Sequence, residues 1–233
     1  MAFLELVLIR HAQSVWNQQG RMQGWGEDVL TEVGQAQAQQ LANRLRADFP
    51  VPTQVYSSPL RRSHQTTEIL LRPFNAISVK YVDDLKEFQN GIFEGLTWAE
   101  ATALYPQLCA ALETSLDWLP IPQAESLQDG RDRAQRFMQQ LLTRHQNGDR
   151  IWIVTHSWLL QQLVAAILGC DRAWGISVHN TALFEFWLDQ SRWHQTNQNH
   201  SQNQWNTTLW QIRHFNDCQH LNGSKISKGL DQC

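Results

Sequence analysis

The chain is poor in the features that would assign it to several common classes. Its four cysteines, at 109, 170, 218 and 233 of 233 residues, form no C-x-x-C pair and keep no Cys/His ligand spacing. They read as reduced thiols, so neither a disulfide framework nor a zinc site is expected. The formal charge is only -3, with 19 basic against 22 acidic residues, and no concentrated basic face is visible. Duplex binding needs such a face to displace counterions, so no nucleic-acid partner is expected. No apolar run is long enough to span a bilayer, and Met1-Ala2 passes directly into an apolar stretch without the basic segment and cleavage site of a secretory signal. The expectation is a cytoplasmic protein with no membrane partner. One local absence bears on function. From Glu87 through Gly130 there is no lysine or arginine, while Glu94, Glu100, Glu113, Asp117, Glu125 and Asp129 are acidic.

What is present is organised around two histidines. The apolar run Phe3-Leu4-Glu5-Leu6-Val7-Leu8-Ile9 leads into Arg10-His11, and Ile151-Trp152-Ile153-Val154-Thr155 leads into His156. Continuous apolar and β-branched runs, without polar alternation, are the pattern of strands covered by helices on both faces. In open α/β sheets, ligands bind just beyond the carboxyl ends of the strands, so the two histidines are expected to meet at one site.

The length suits one α/β domain, residues 1–233, built as a three-layer α/β/α sandwich on a mostly parallel central sheet. A Gly-rich stretch from Gly20 to Gly26 reads as a loop near the site. Thr31 is placed to cap a helix reaching about Ala47. Gln54 to Ser57 reads as a short strand, after which Ser58 is expected to cap a helix with Pro59 at its first position, bringing Arg62 to the same sheet edge as His11. Gly91, Gly95, Pro106, Pro120 and Pro122 break residues 85 to about 125 into short helices and loops, read as an inserted cap. Ser126 and Asp129 resemble a capping box opening a helix to about His145. A helix from Leu159 to Leu168 ending at Gly169, a strand from Ala182 to Leu188, a mobile polar loop from Gln190 to Asn206 and a last strand from Thr208 to Phe215 follow. The tail, about 222–233, is expected to be flexible. Of 11 tryptophans most read as core, while Trp16, Trp25, Trp98 and Trp158 lie beside the polar motifs and are candidates to line a pocket.

Four blocks in order carry a resemblance: Leu8-Ile9-Arg10-His11-Ala12-Gln13-Ser14-Val15-Trp16-Asn17, then Ser57-Ser58-Pro59-Leu60-Arg61-Arg62-Ser63-His64-Gln65-Thr66-Thr67, then Leu85-Lys86-Glu87, then Val154-Thr155-His156-Ser157. The chain resembles the histidine phosphatase superfamily, also called the phosphoglycerate-mutase-like family, from about Leu6 to His220-Leu221. The chemistry of phosphoryl transfer agrees with the residue types. It needs a nucleophile in line with the leaving oxygen, positive charge on the equatorial oxygens and a proton for the leaving group. Neutral imidazole is a competent nucleophile, and the resemblance places the phosphorylated histidine at His11. Arg10 and Arg62 supply forked donors for phosphate. His156, as an imidazolium, adds a further donor, so the two histidines are expected in opposite protonation states. Asn17 offers a side-chain N–H. By resemblance, Glu87 protonates the leaving alcohol and then activates water. No metal or cofactor is implied.

Simpler readings stand beside these. Gln23 and Gly24 serve either as phosphate contacts or as plain turn residues. Glu125 either reaches the pocket or merely precedes the helix cap, the second being favoured. Arg61 reads as a solvated charge, and His64, His145, His179, His194, His200, His214 and His220 as structural or surface residues. The family pattern is departed from at Ala12, where glycine is usual, and at Ser157-Trp158, where Gly-Gly is usual. Ser157 keeps its backbone N–H and adds a hydroxyl, whereas Trp158 is expected to narrow or reshape the pocket. A mutase needs basic residues in its cap to hold a second anionic end, and the Lys- and Arg-free segment opposes that. The first expectation is therefore a phosphoric monoester hydrolase of the histidine acid type. It is metal-independent and acts through phosphohistidine on a small phosphomonoester, with a neutral sugar or an amine-bearing substrate such as phosphoserine in view. A cofactor-dependent phosphoglycerate mutase, a protein phosphatase and a non-catalytic phosphate-binding protein are the alternatives. A homodimer is compatible with the sequence.

Overall fold

The computed structural model describes residues 2–170, 176–193 and 210–221. The first half contains β1 (Leu4–Arg10), α1 (Val15–Gln18), α2 (Glu32–Asp48), β2 (Gln54–Ser57), α3 (Arg61–Leu71) and β3 (Val79–Tyr81). After these come α4 (Trp98–Leu104), α5 (Pro106–Thr114), α6 (Leu127–Arg144), β4 (Arg150–Thr155), α7 (Ser157–Leu168), β5 (Leu183–Leu188), α8 (Gln190–Trp193) and β6 (Trp210–Asp217). The six strands form one sheet in the order β3-β2-β4-β1-β5-β6. The first four are mutually parallel, while β5 runs antiparallel to β1 and β6 antiparallel to β5. The expected mostly parallel sheet is therefore present, with an antiparallel pair added on one side.

The apolar runs explain the layers. Successive strand side chains point to opposite faces, so a strand covered on both sides must be apolar throughout. Leu4, Leu6, Leu8, Ile151 and Ile153 pack on one face with Phe137 and Leu141 of α6 and Leu160 and Leu163 of α7. Val7, Ile9, Val55, Trp152 and Val154 pack on the other with Leu41 and Leu45 of α2 and Leu70 of α3. Full burial of each such side chain contributes roughly 1.5–3 kcal/mol.

Local capping chemistry sets most helix ends. The Thr31 hydroxyl accepts the Gly34 N–H at 2.9 Å. Ser126 and Asp129 form a reciprocal capping box at the start of α6. Gly169 ends α7 in the left-handed conformation with φ 65°, which glycine adopts at no steric cost. The expected Ser58-Pro59 start is corrected: α3 begins at Arg61 behind an extended Leu60, which makes no side-chain cap. Ser58 Oγ instead lies 2.8 Å from His156 Nε2. α7 likewise begins at Ser157, before the expected Leu159, because His156 itself is the extended N-cap residue.

The segment after β3 is broken into 3-10 turns at Asp83–Leu85 and Gly91–Phe93 followed by α4 and α5. Phe93, Ala101 and Cys109 give it a small apolar centre against which Met22 packs. Within the expected loop from Gln190 to Asn206, residues Gln190–Trp193 form α8 instead, its first N–H accepted by Asn147 Oδ1 at 2.8 Å. The rest of that loop, the first residues of the last strand, His194, His200 and the tail 222–233 lie outside the described residues. No helix among the described residues is long and apolar enough to cross a membrane.

Candidate active site

β1 and β4 are adjacent and parallel, with Arg10 opposite Thr155, and the His11 N–H donates to the Thr155 carbonyl at 2.9 Å. Two residues 145 positions apart thus leave neighbouring strands at the same edge, and their ring centroids are 5.1 Å apart with planes at 57°. His11 is buried, and its Nδ1 lies 2.7 Å from the Ala12 carbonyl oxygen. A carbonyl only accepts, so Nδ1 carries the proton and Nε2 keeps its lone pair.

His156 is fully buried, with Nε2 2.8 Å from Ser58 Oγ and 3.3 Å from Ser63 Oγ. Ser58 Oγ already accepts the Leu60 N–H at 3.3 Å. With a proton of its own and a second lone pair, that hydroxyl serves either tautomer of His156, whose Nδ1 has no protein partner. Burial, followed by the Arg62 and Arg10 charges, holds His11 well below the usual imidazole pKa. The same causes in the same order, with His11 added between the two arginines, hold His156 well below it too. The free site does not by itself separate the two rings as expected: burial and the two nearby guanidinium groups push both toward the neutral form.

Arg62 is fully buried, donating to the Gly26 and Gly24 carbonyls at 3.0 and 2.8 Å. Burial pulls its pKa down to about 10, against the opposing pull of Glu87 and Asp28, so it stays charged near neutrality. Arg10 is held by the Val178 carbonyl. Arg10 Nε, Arg62 Nε and His156 Nδ1 are buried polar atoms without a protein partner. An unsatisfied buried donor is costly, and the two arginine Nε–H groups, with the open His156 Nδ1, form a set that an oxyanion would complete.

Glu87 is held at the start of α7. Its Oε1 accepts from the Phe88 and Leu159 N–H groups at 3.0 and 3.2 Å, and its Oε2 from the Trp158 N–H at 3.2 Å. Since His156 offers α7 no side-chain cap, Glu87 satisfies donors at the helix start in its place. Asn17 Oδ1 closes a capping box with Ser14 and accepts the Asn180 side-chain N–H at 3.2 Å, which leaves its Nδ2 as the donor. Gln23 donates to Ser14 Oγ at 2.7 Å, Gly24 meets Arg62 through its carbonyl, and Ser157 opens α7 directly after His156.

The sequence matches the Histidine phosphatase superfamily (branch 1) over residues 6–201. The chain belongs to this superfamily. It is 36% identical over 170 residues to a metal-independent phosphoserine phosphatase of Arabidopsis thaliana, covering 72% of this chain and 71% of that protein. It is also 31% identical over 186 residues to a 2,3-bisphosphoglycerate-dependent phosphoglycerate mutase of Corynebacterium diphtheriae, covering 69% and 75% respectively. Among solved structures, Bacillus stearothermophilus YhfR superposes with a TM-score of 0.76 at 26% identity, over 94% of this chain and 99% of that one.

Within this member of the superfamily, Ala12 is accommodated in an apolar cluster with Leu30, Ala38 and Ile69. Trp158 is 47% exposed and stands against aromatic rings of the cap segment. Trp25 donates its indole N–H to the Glu87 carbonyl at 2.7 Å. Trp98 does not approach the site: its indole binds Glu113 within the cap segment at 2.8 Å. Glu125 is withdrawn by a two-pronged ion pair with Arg133 at 2.6 and 2.7 Å, and Arg61 is exposed. His145, His214 and His220 bind Asp149, Glu185 and Thr181 respectively.

Several supporting residues have partners too distant along the chain for their roles to be read locally. Ser58 and Ser63 orient His156. Asn180 donates to the His11 carbonyl at 3.0 Å, and Thr181, with φ 59°, directs its N–H at the Arg10 and His11 carbonyls. Arg133 binds the Asp84, Lys86 and Glu87 carbonyls and so holds the strand of backbone that carries Glu87.

Proposed function

We propose that this protein is a cytoplasmic, metal-independent phosphomonoester hydrolase that acts through a phosphohistidine on a small metabolite. The observation that carries the reading is the tautomer of His11. Its Nδ1 proton is committed to Ala12, its Nε2 lone pair is available, and the Nε–H groups of Arg10 and Arg62 and the Nδ1 of His156 are unpaired. In the first step Nε2 attacks phosphorus, the bond to the leaving oxygen breaks, and Glu87 gives that oxygen a proton. In the second step Glu87 takes a proton from water, whose oxygen attacks phosphorus while the N–P bond breaks, releasing phosphate and restoring His11. The arginines stabilise charge on the equatorial oxygens in both steps.

Hydrolysis is favoured over mutase chemistry by the charge of the cap. Residues Glu87 through Gly130 contain no lysine or arginine. The nearby cations are engaged: Arg133 with Glu125 at 2.6 Å, Lys86 with Asp83 at 3.1 Å and Arg21 with Glu100 at 2.6 Å. None of the three is left to hold the second anionic end of a bisphosphorylated intermediate. A leaving group without net negative charge fits this environment, and phosphoserine, named for the Arabidopsis relative, belongs in the first panel.

With EDTA present, the purified protein should release phosphate from small monophosphates. Labelled phosphate should be trapped on the wild type and not on His11→Ala. Interconversion of 3- and 2-phosphoglycerate stimulated by 2,3-bisphosphoglycerate would overturn the hydrolase reading in favour of the mutase.

A further inference from the structure

Beyond the phosphate donors, the surface around Glu87 is aromatic. Trp158, two residues after His156, is 47% exposed, and Trp118 is 40% exposed. Their ring centroids are 5.1 Å apart with planes at 73°, an edge-to-face contact between α7 and the cap segment. Phe88, the residue after Glu87, lies beneath both at 6.0 and 6.3 Å. Trp25, 37% exposed, also reaches Glu87, its indole N–H on the Glu87 backbone carbonyl at 2.7 Å. The Glu87 carboxylate is itself bound by the Trp158 backbone N–H at 3.2 Å. Glu87 is therefore tied to two residues with exposed indoles, its carboxylate to the Trp158 backbone N–H and its backbone carbonyl to the Trp25 indole.

Contiguous exposed aromatics beside a polar site mark binding surface, because their exposure costs solvation free energy that a ligand ring would recover. The charges on this face oppose an anionic ligand. Lys86 sits over the Trp25 ring at 4.9 Å but is paired with Asp83. Arg133 sits over Phe88 at 5.9 Å but is held by Glu125. Glu94 Oε2 accepts the Trp25 N–H at 3.0 Å and adds negative charge.

We infer that Trp158 and Trp118, together with Trp25, form the leaving-group subsite, and that the alcohol released is uncharged and carries a flat aromatic or heteroaromatic ring. This rests on the hydrolase reading and narrows its substrate. A ring extending from the phosphate past Glu87 meets the Trp158–Trp118 corner in offset or edge-on contact, the arrangement that aromatic quadrupoles prefer.

The test compares kcat/KM for 2-phenylethyl phosphate, ethyl phosphate and phosphoserine. Ethanol and 2-phenylethanol are both uncharged alkyl alcohols, so intrinsic leaving-group reactivity does not bias the comparison. The wild type should favour 2-phenylethyl over ethyl phosphate by about 10-fold, the scale of one aromatic contact with its apolar burial. Trp158→Ala and Trp118→Ala should each lower that ratio by about 3-fold or more, and Trp158→Phe should retain most of it. Because both tryptophans are largely solvent-facing, two independent variants guard against loss of fold in either. A ratio near one in the wild type, a ratio unchanged in both alanine variants, or preferred turnover of phosphoserine would overturn the subsite and leave the hydrolase standing. A protein that hydrolyses none of the three and interconverts phosphoglycerates would overturn both.

Discussion

Replacing Glu87 with glutamine separates two tasks that one carboxylate performs. Its oxygens accept three backbone N–H groups, from Phe88, Leu159 and Trp158, at 3.0, 3.2 and 3.2 Å. Glutamine keeps one carbonyl oxygen and turns the other position into a donor, so at least one of these bonds is lost. A hydrogen bond to a charged group contributes about 1.5–3 kcal/mol. A charge at a helix start adds about 0.3–1 kcal/mol. Destabilisation of about 2 kcal/mol follows, a fall of roughly 4–8 °C in Tm for a chain of this size. The kinetic loss should be larger, about 100- to 10,000-fold, the range of a positioned general acid or base. The two steps can be read apart through the leaving group. Ethyl phosphate needs the proton in the first step, and its turnover should fall by the full factor. 4-Nitrophenyl phosphate releases a stable anion without that proton, so only the water step is slowed. Stopped-flow mixing should then show a burst of one nitrophenolate per active site, followed by slow turnover with acid-labile phosphate accumulating on His11. Equal slowing of both substrates without a burst would refute the acid and base role, and Glu87 would be a helix cap alone.

Other changes have expected outcomes of their own. Arg62→Lys removes a fork that spans two carbonyls and keeps an Nε for the anion, so kcat/KM should fall about 100-fold, the loss of one strong charge-assisted bond, as measured in steady state. In Gly130→Ala the new Cβ would lie 1.9 Å from the Phe88 ring. Urea denaturation should show a loss of about 1–3 kcal/mol, and displacement of Phe88 beside Glu87 should cost up to about 100-fold in rate. His11, His156 and His220 all have depressed values in the folded protein, that of His220 at about 4. The unfolded chain then binds more protons below about pH 6.5, so stability falls as pH falls, by about 1.4 kcal/mol per pH unit for each histidine. For His220 this slope ends near pH 4. Urea titrations between pH 7 and 4 measure it, and His220→Gln should remove about one proton from the uptake on unfolding at pH 5.

The parts of the molecule legible in the sequence are those whose physics is local. Thr31, the Ser126–Asp129 pair and Gly169 end helices through contacts within a few residues, and each does so in the structure. The unbroken apolar runs before His11 and His156 required a sheet covered on both faces, and the two buried clusters supply the covers. Ser58 shows where local reading stops. Its position before proline is a good cap signal, yet its hydroxyl serves His156, 98 residues away, and the helix starts three residues later. Asn180 and Ser63 had no signal for the same reason, since their partners are distant in the chain.

The sequence by itself determined five of the six strands, missing the short edge strand β3, along with the residue types that phosphoryl transfer needs and the absence of basic residues over Glu87 to Gly130, because periodicity, side-chain chemistry and composition are properties of the chain. Tertiary structure decided which strand lies beside which, and so brought His11 within 5.1 Å of His156. It also decided the charge state of both rings. A histidine titrates by its surroundings, and burial beside Arg10 and Arg62 is a fact of packing that no stretch of sequence contains.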